Sequence, residues 1–151
     1  MKTLLSAIPL FFLLSPAEAN WQYTFWGSTP DDVIKASNGR AIENTNRGRD
    51  MEGYRTLLKA PYQSGPFSFT AYFVFDLSGH LKFVDLETIS VDCTMLLAEL
   101  SNTYGPPADR GSFGLRKWWD KTNGNAVVYS EFKNCELRYM EIPASGAPGK
   151  L

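Results

Sequence analysis

The sequence predicts an α+β fold, an antiparallel sheet with helices packed on one face. Three observations carry that expectation. Phe67 to Leu86 alternates polar and apolar residues around a turn at Leu77-Ser78-Gly79-His80. Cys93 to Tyr104 carries an apolar stripe at helical spacing. Short alternating segments separated by turn residues make up most of the remainder. The order of elements is helix, three strands, helix, three strands, so about 26–87 and 90–142 read as two cognate α-βββ-like halves.

The first 19 residues read as a leader and not as part of the fold. Lys2 is a short positive region, Leu4 to Leu14 an apolar run broken by Pro9, and Ala17-Glu18-Ala19 a small-x-small cleavage site. The run is far short of the ~20 residues a membrane span needs. Cleavage before Asn20 takes 19 of the 151 residues and leaves 132, enough for one domain over 20–142. The short positive region is of bacterial type, which places the mature chain in a periplasm or outside the cell. The chain is then a single α+β domain with no integral membrane segment after cleavage.

Trp21 to Trp26 alternates and reads as a short strand or extended entry. Thr29-Pro30-Asp31-Asp32 is a helix start, with Thr29 as N-cap, proline at the first position and acids in the first turn. The helix runs to about Ser37, turns Val33, Ile34 and Ser37 inward, and ends at Asn38-Gly39. Arg40 to Gly53 has no apolar period and reads as a surface loop, carrying Arg47 and Arg49. Tyr54 to Ala60 is a strand with Tyr54, Thr56 and Leu58 on one face, and Pro61 to Pro66 is a loop.

In Phe67 to Asp76, the residues Phe67, Phe69, Ala71, Phe73 and Phe75 share a face that must be covered. The return strand repeats the alternation, with Leu81 and Phe83 on one face and Val84 and Leu86 on the other. In the second helix Cys93, Leu96, Leu97, Leu100 and Tyr104 form one stripe, capped by Asp92 or Ser90 and stopped by Gly105-Pro106-Pro107. Ala108 to Leu115 is a loop. Strands follow at Lys117-Trp118-Trp119-Asp120, Ala126 to Phe132 and Cys135 to Met140, with Cys135, Leu137 and Tyr139 facing inward. The segment 143–151 is Pro/Gly-rich and reads as a disordered tail.

Cys93 and Cys135 are the only cysteines. In an oxidising compartment such a pair is most simply a disulfide, here one between helix and sheet. A catalytic thiol would have only His80 as imidazole partner, and that residue lies in a turn. Fifteen Lys+Arg against sixteen Asp+Glu give a net charge of −1, which disfavours nucleic acid as a partner. No nucleophile elbow, phosphate loop, dinucleotide fingerprint or zinc motif occurs. Ser130 and Lys133 match S-x-x-K, but three residues apart on a strand they point to opposite faces. No metal, no cofactor and no catalytic residue is expected.

Aromatic surface is what remains. Trp118 and Trp119 are adjacent, so on a strand one of them faces away from the core; Trp21 and Trp26 raise the same question. Trp118, Trp119 and Arg116, with Arg47 and Arg49 of the long loop, are therefore the candidate protein-contact residues.

Trp26-Gly27-Ser28-Thr29, Asp32-Val33, Gly39 and Phe73 to Leu81 (FVFDLSGHL), with an echo at Tyr104-Gly105-Pro106, resemble a recurrent exported bacterial module. The pattern is similar to the small α+β domain of the outer-membrane lipoprotein A family and to the repeat of beta-lactamase-inhibitor-like proteins. The resemblance implies a non-catalytic module that binds other proteins through its sheet or loops. This chain has no cysteine at the cleavage point for a lipid anchor. The expectation is thus an exported protein-binding module, an inhibitor or accessory factor of an envelope protein. The alternative is a secreted enzyme or small-ligand carrier of unrecognised type.

Overall fold

The computed structural model describes residues 20–131 and 134–143. The leader 1–19, Phe132, Lys133 and the tail from 144 onward lie outside the described residues. The elements are α1 (Pro30–Ala36), β1 (Ile42–Glu43), β2 (Tyr54–Ser64), β3 (Phe67–Asp76), β4 (Leu81–Thr88), α2 (Cys93–Tyr104), β5 (Asp109–Arg110), β6 (Arg116–Asp120), β7 (Asn125–Ser130) and β8 (Glu136–Glu141). All strands join one antiparallel sheet in the order β1-β2-β3-β4-β8-β7-β6-β5. The α+β expectation is met, with sheet predominating over helix.

Cross-strand register explains the core. Leu58, Phe73, Val84, Tyr139, Val127 and Trp118 lie side by side across six strands. The next inward row runs Ala60, Ala71, Leu86, Leu137 and Tyr129. These residues belong to one hydrophobic cluster, and Leu96 and Leu100 of α2, Val33 of α1 and Trp21 pack onto it. Phe73 and Phe75 are both fully buried. Burial of a side chain of that size is worth ~2–3 kcal/mol each, so the phenylalanine row contributes substantially to the core. The row of phenylalanines is covered, as the sequence required.

Local signals account for the helix ends. Thr29 caps α1 and forms a reciprocal box with Asp32, whose carboxylate accepts from the Thr29 amide at 3.1 Å. That hydroxyl and amide hold the Asp32 carboxyl below its usual range. Asp92 caps α2 through the amides of Thr94 and Met95. At the β3–β4 turn Gly79 has φ +81°, and Asp76 accepts from the amides of Ser78 and His80.

Cys93 and Cys135 form a disulfide with a Cα–Cα distance of 5.5 Å. It joins the first residue of α2 to the chain just before β8. Helix and sheet are thereby linked as predicted.

Several local expectations are corrected. Ile34 is 36% exposed, so α1 buries Val33, and Ser37 at its C-cap, but not Ile34. Trp21 to Thr24 is a tight turn with Gln22 at φ +51°, not a strand; Trp21 is buried and the Trp26 indole donates to Asn125 at 3.1 Å. The segment 40–53 is a folded cover. Ile42–Glu43 pairs with β2, buried Asn44 donates to the carbonyls of Asn46 and Thr56, and Arg47–Arg49 is a 3-10 turn. β2 extends through Pro61, beyond the stretch paired to β1, where a missing N–H is tolerated.

Two β-bulges reverse predicted faces. The register skips Leu57 between Thr56 and Leu58, so Thr56 lies opposite Val74 and Leu58 opposite Phe73. The register also skips Lys82, so Leu81 lies inward opposite Phe75 while Phe83 lies opposite Val74 on the other face. Tyr54, Thr56 and Leu58 do not share a face, and neither do Leu81 and Phe83.

Candidate functional site

The helices and the N-terminal turn cover one face of the sheet. The other face is only partly covered, by the segment around Arg49 and Met51. Register places Tyr72, Asp85, Arg138, Val128 and Lys117 in one row across it, and Val74, Phe83, Met140, Ala126 and Trp119 in the next.

The first of these rows is held by a fork of two hydrogen bonds. Arg138 donates from Nε to one oxygen of Asp85 at 2.7 Å and from Nη2 to the other at 2.9 Å. Burial works against the Arg138 charge, but Asp85 more than offsets it and the guanidinium is held above its ordinary range. The same guanidinium lies 4.3 Å from the Phe83 ring centroid, and the Tyr54 ring stands 5.0 Å from that of Phe83. Met51, Tyr54, Phe83 and Met140 line an open groove of about 610 Å³. Asp85→Asn should cost ~1–3 kcal/mol, because a half-buried guanidinium then loses its counter-charge. Urea unfolding of the variant at neutral pH measures it.

Arg49 lies 4.0 Å over the Tyr72 ring and reaches Glu87 at 3.4 Å and Glu136 at 3.7 Å. Burial pushes the Glu136 carboxyl up, Asp85 and Glu87 add to the rise, and Arg49 and Arg138 oppose it. A carboxyl whose folded pKa is raised favours the fold when protonated and loses that contribution as pH rises through the folded value. Glu136→Gln should therefore gain stability relative to wild type as pH climbs above 4.5, the ordinary value. Melting temperatures of both proteins across the acid range test this, and a flat difference would refute it.

The predicted contact residues separate. Trp118 is 1% exposed and its indole donates to the Gly105 carbonyl at 2.9 Å. It belongs to the core and is not a surface anchor. Trp119 lies on the open face beneath the Lys117 ammonium, 4.6 Å from its ring. Arg116 does not flank it, since the register puts that residue opposite Tyr129 on the other face. Arg47 forms an exposed pair with Glu43, and Arg49 is tied to the open face. Trp119 and Arg49 therefore share a surface; Trp118, Arg116 and Arg47 do not belong to it.

The predicted loop 108–115 is mostly a hairpin. β5 and β6 pair at Asp109–Lys117 and Arg110–Arg116, and the Gly111 amide donates to the Leu115 carbonyl at 3.1 Å. Phe113 at its tip is 85% exposed with φ +56°. A bulky side chain seldom adopts that backbone conformation, and the ring has no cover. A Cβ on neighbouring Gly114 would sit 2.6 Å from a Glu131 carboxylate oxygen, so the hairpin lies close against the end of β7. Leu115 at its base borders a second hollow beside Asp85, Val128 and Arg138. The signal for Phe113 was present in Gly-Ser-Phe-Gly, a lone aromatic among turn formers. Among the described residues no group of three or more His, Cys, Asp or Glu is placed to hold a metal ion, and no helix is long and apolar enough to cross a membrane. Neither a protein-family model, nor a curated protein, nor a solved structure matches this chain.

Proposed function

We propose that the chain is an exported, non-catalytic protein-binding module whose anchor is Phe113. Its partner, an envelope protein, would offer an apolar pocket with an acidic rim. The carrying observation is the conformation of Phe113, 85% exposed at φ +56°. Left-handed backbone at a non-glycine residue costs on the order of 1–3 kcal/mol, and an exposed ring gains nothing from folding. A binding role accounts for both, because an aromatic presented on a short hairpin is suited to fill a pocket. Arg110 and Arg116 pair directly behind it and supply positive charge at the pocket rim.

The disulfide supports an oxidising compartment, consistent with the leader expected over 1–19. The element order supports reading the chain as two cognate halves that meet where β4 pairs with β8. Such a junction makes the open face twice as wide as either half would offer, and the β5–β6 hairpin stands at its margin.

Photo-crosslinking in cells tests the proposal, with p-benzoylphenylalanine at position 113 and, as control, at Leu77, another exposed apolar residue at 69%. A discrete adduct with an envelope protein is expected from position 113 and not from 77. Phe113→Gly should abolish capture of that protein while leaving stability equal or raised by about 1 kcal/mol, since glycine relieves the backbone. No adduct at 113, or equal capture by Phe113→Gly, would overturn the assignment.

A further inference from the structure

We infer that the cavity between α2, the N-terminal turn and the covered face of the sheet binds a small organic cation, a quaternary or primary ammonium with an apolar body. The cavity holds about 420 Å³, within the range of small-molecule sites. This inference is independent of the role assigned to Phe113, which lies outside the cavity lining.

The lining gives the chemistry. Trp21, Tyr62, Tyr104 and Tyr139 bring aromatic rings from the N-terminal turn, β2, α2 and β8. Trp21 packs against Tyr62 with ring centroids 5.2 Å apart and against Tyr139 at 6.3 Å. The Tyr104 and Tyr139 hydroxyls are 3.4 Å apart. Burial pushes both phenols up, so they stay neutral.

Glu99 and Asp120 supply the formal charge, and none of the lining residues is Lys, Arg or His. Asp120 is fixed in place: its oxygens accept from the Asn123 amide at 3.2 Å and the Asn123 side chain at 2.7 Å. The cleavage expected before Asn20 makes the nitrogen of that lining residue an α-ammonium, which donates to the Thr24 carbonyl at 2.9 Å and leaves the lining one negative charge in excess.

Aromatic faces carry negative quadrupole charge and attract cations, most strongly where water is excluded. The two carboxylates outnumber the Asn20 ammonium and add to that attraction. Leu86, Leu96 and Leu137 line the cavity beside them and are buried, so an apolar tail would be covered as well.

Choline and its uncharged carbon isostere, 3,3-dimethylbutan-1-ol, form the decisive pair of probes, titrated into the folded protein by calorimetry. Choline should bind at least about tenfold more tightly than the alcohol, the discrimination expected of aromatic rings and carboxylates acting together on a cation. Glu99→Gln and Asp120→Asn should each weaken choline by ~3–10-fold and leave the alcohol unaffected. Glu99 is exposed on α2, so its variant keeps the test valid if Asp120→Asn fails to fold. Equal binding of the two probes would mean a merely apolar cavity and overturn the proposal. So would the absence of choline binding at concentrations on the order of 10 mM.

Discussion

Replacing Cys93 and Cys135 together by alanine is expected to lower the free energy of unfolding by about 3 kcal/mol and the melting temperature by roughly 10–15 °C. The bridge spans 42 positions, and closing a loop of that length removes entropy from the unfolded chain worth ~4 kcal/mol in the simplest model. Measured values usually fall below that limit. Geometry argues that little is lost here. Asp92 already caps α2, Leu96 and Leu100 already pack on the sheet, and the Tyr129 hydroxyl donates to the Cys93 carbonyl at 3.3 Å. Burial and nearby Glu131 push the Tyr129 phenol up to about 12. The folded structure of the variant should therefore survive, with the loss arising from a freer unfolded state. Guanidinium unfolding of the variant, and of wild type with and without reductant, provides the measurement. A change below ~0.5 kcal/mol in both comparisons would show that the bridge does not restrain the unfolded chain.

Period and parity made the covered face legible. Phe67 to Phe75, the α2 stripe and the alternation of Cys135, Leu137 and Tyr139 each declare which side is inward, and the register joins them into continuous rows. The open face was much less readable, for definite physical reasons. The bulges at Leu57 and Lys82 each insert one residue, and one residue is enough to exchange the faces of a strand. Without the bulge at Leu57, Tyr54 would share the inward face of Leu58 and could not flank the groove with Phe83. The Asp85–Arg138 fork joins positions 53 apart in the chain, so no local pattern announces it. The segment 40–53 lacked apolar period because its order comes from elsewhere: the Asn44 amide bonds the Leu57 carbonyl, and Arg49 is gripped by Glu87 and Glu136. The cavity proposed for an organic cation was hidden for the same reason, since its six defining side chains come from the N-terminal turn, β2, α2, β6 and β8.

The neighbouring tryptophans give the second large effect. Trp118→Ala is expected to cost ~3–5 kcal/mol, in the range for deleting a large buried ring. Trp119→Ala should cost about 1 kcal/mol or less. Trp118 stands at the end of the inward row beside Val127, 1% exposed, and its indole N–H satisfies the Gly105 carbonyl at the end of α2. Its removal opens a cavity under the helix terminus and leaves that carbonyl without its indole donor. Trp119 loses mainly its stacking under Lys117. Equilibrium unfolding of the two single variants separates these outcomes, and comparable losses would mean that the parity assigned to β6 is wrong. The contrast also governs how binding data on these residues are interpreted. A partner lost on Trp118→Ala reports the collapse of the sheet beneath α2, whereas one lost on Trp119→Ala, with the fold intact, reports contact with the open face.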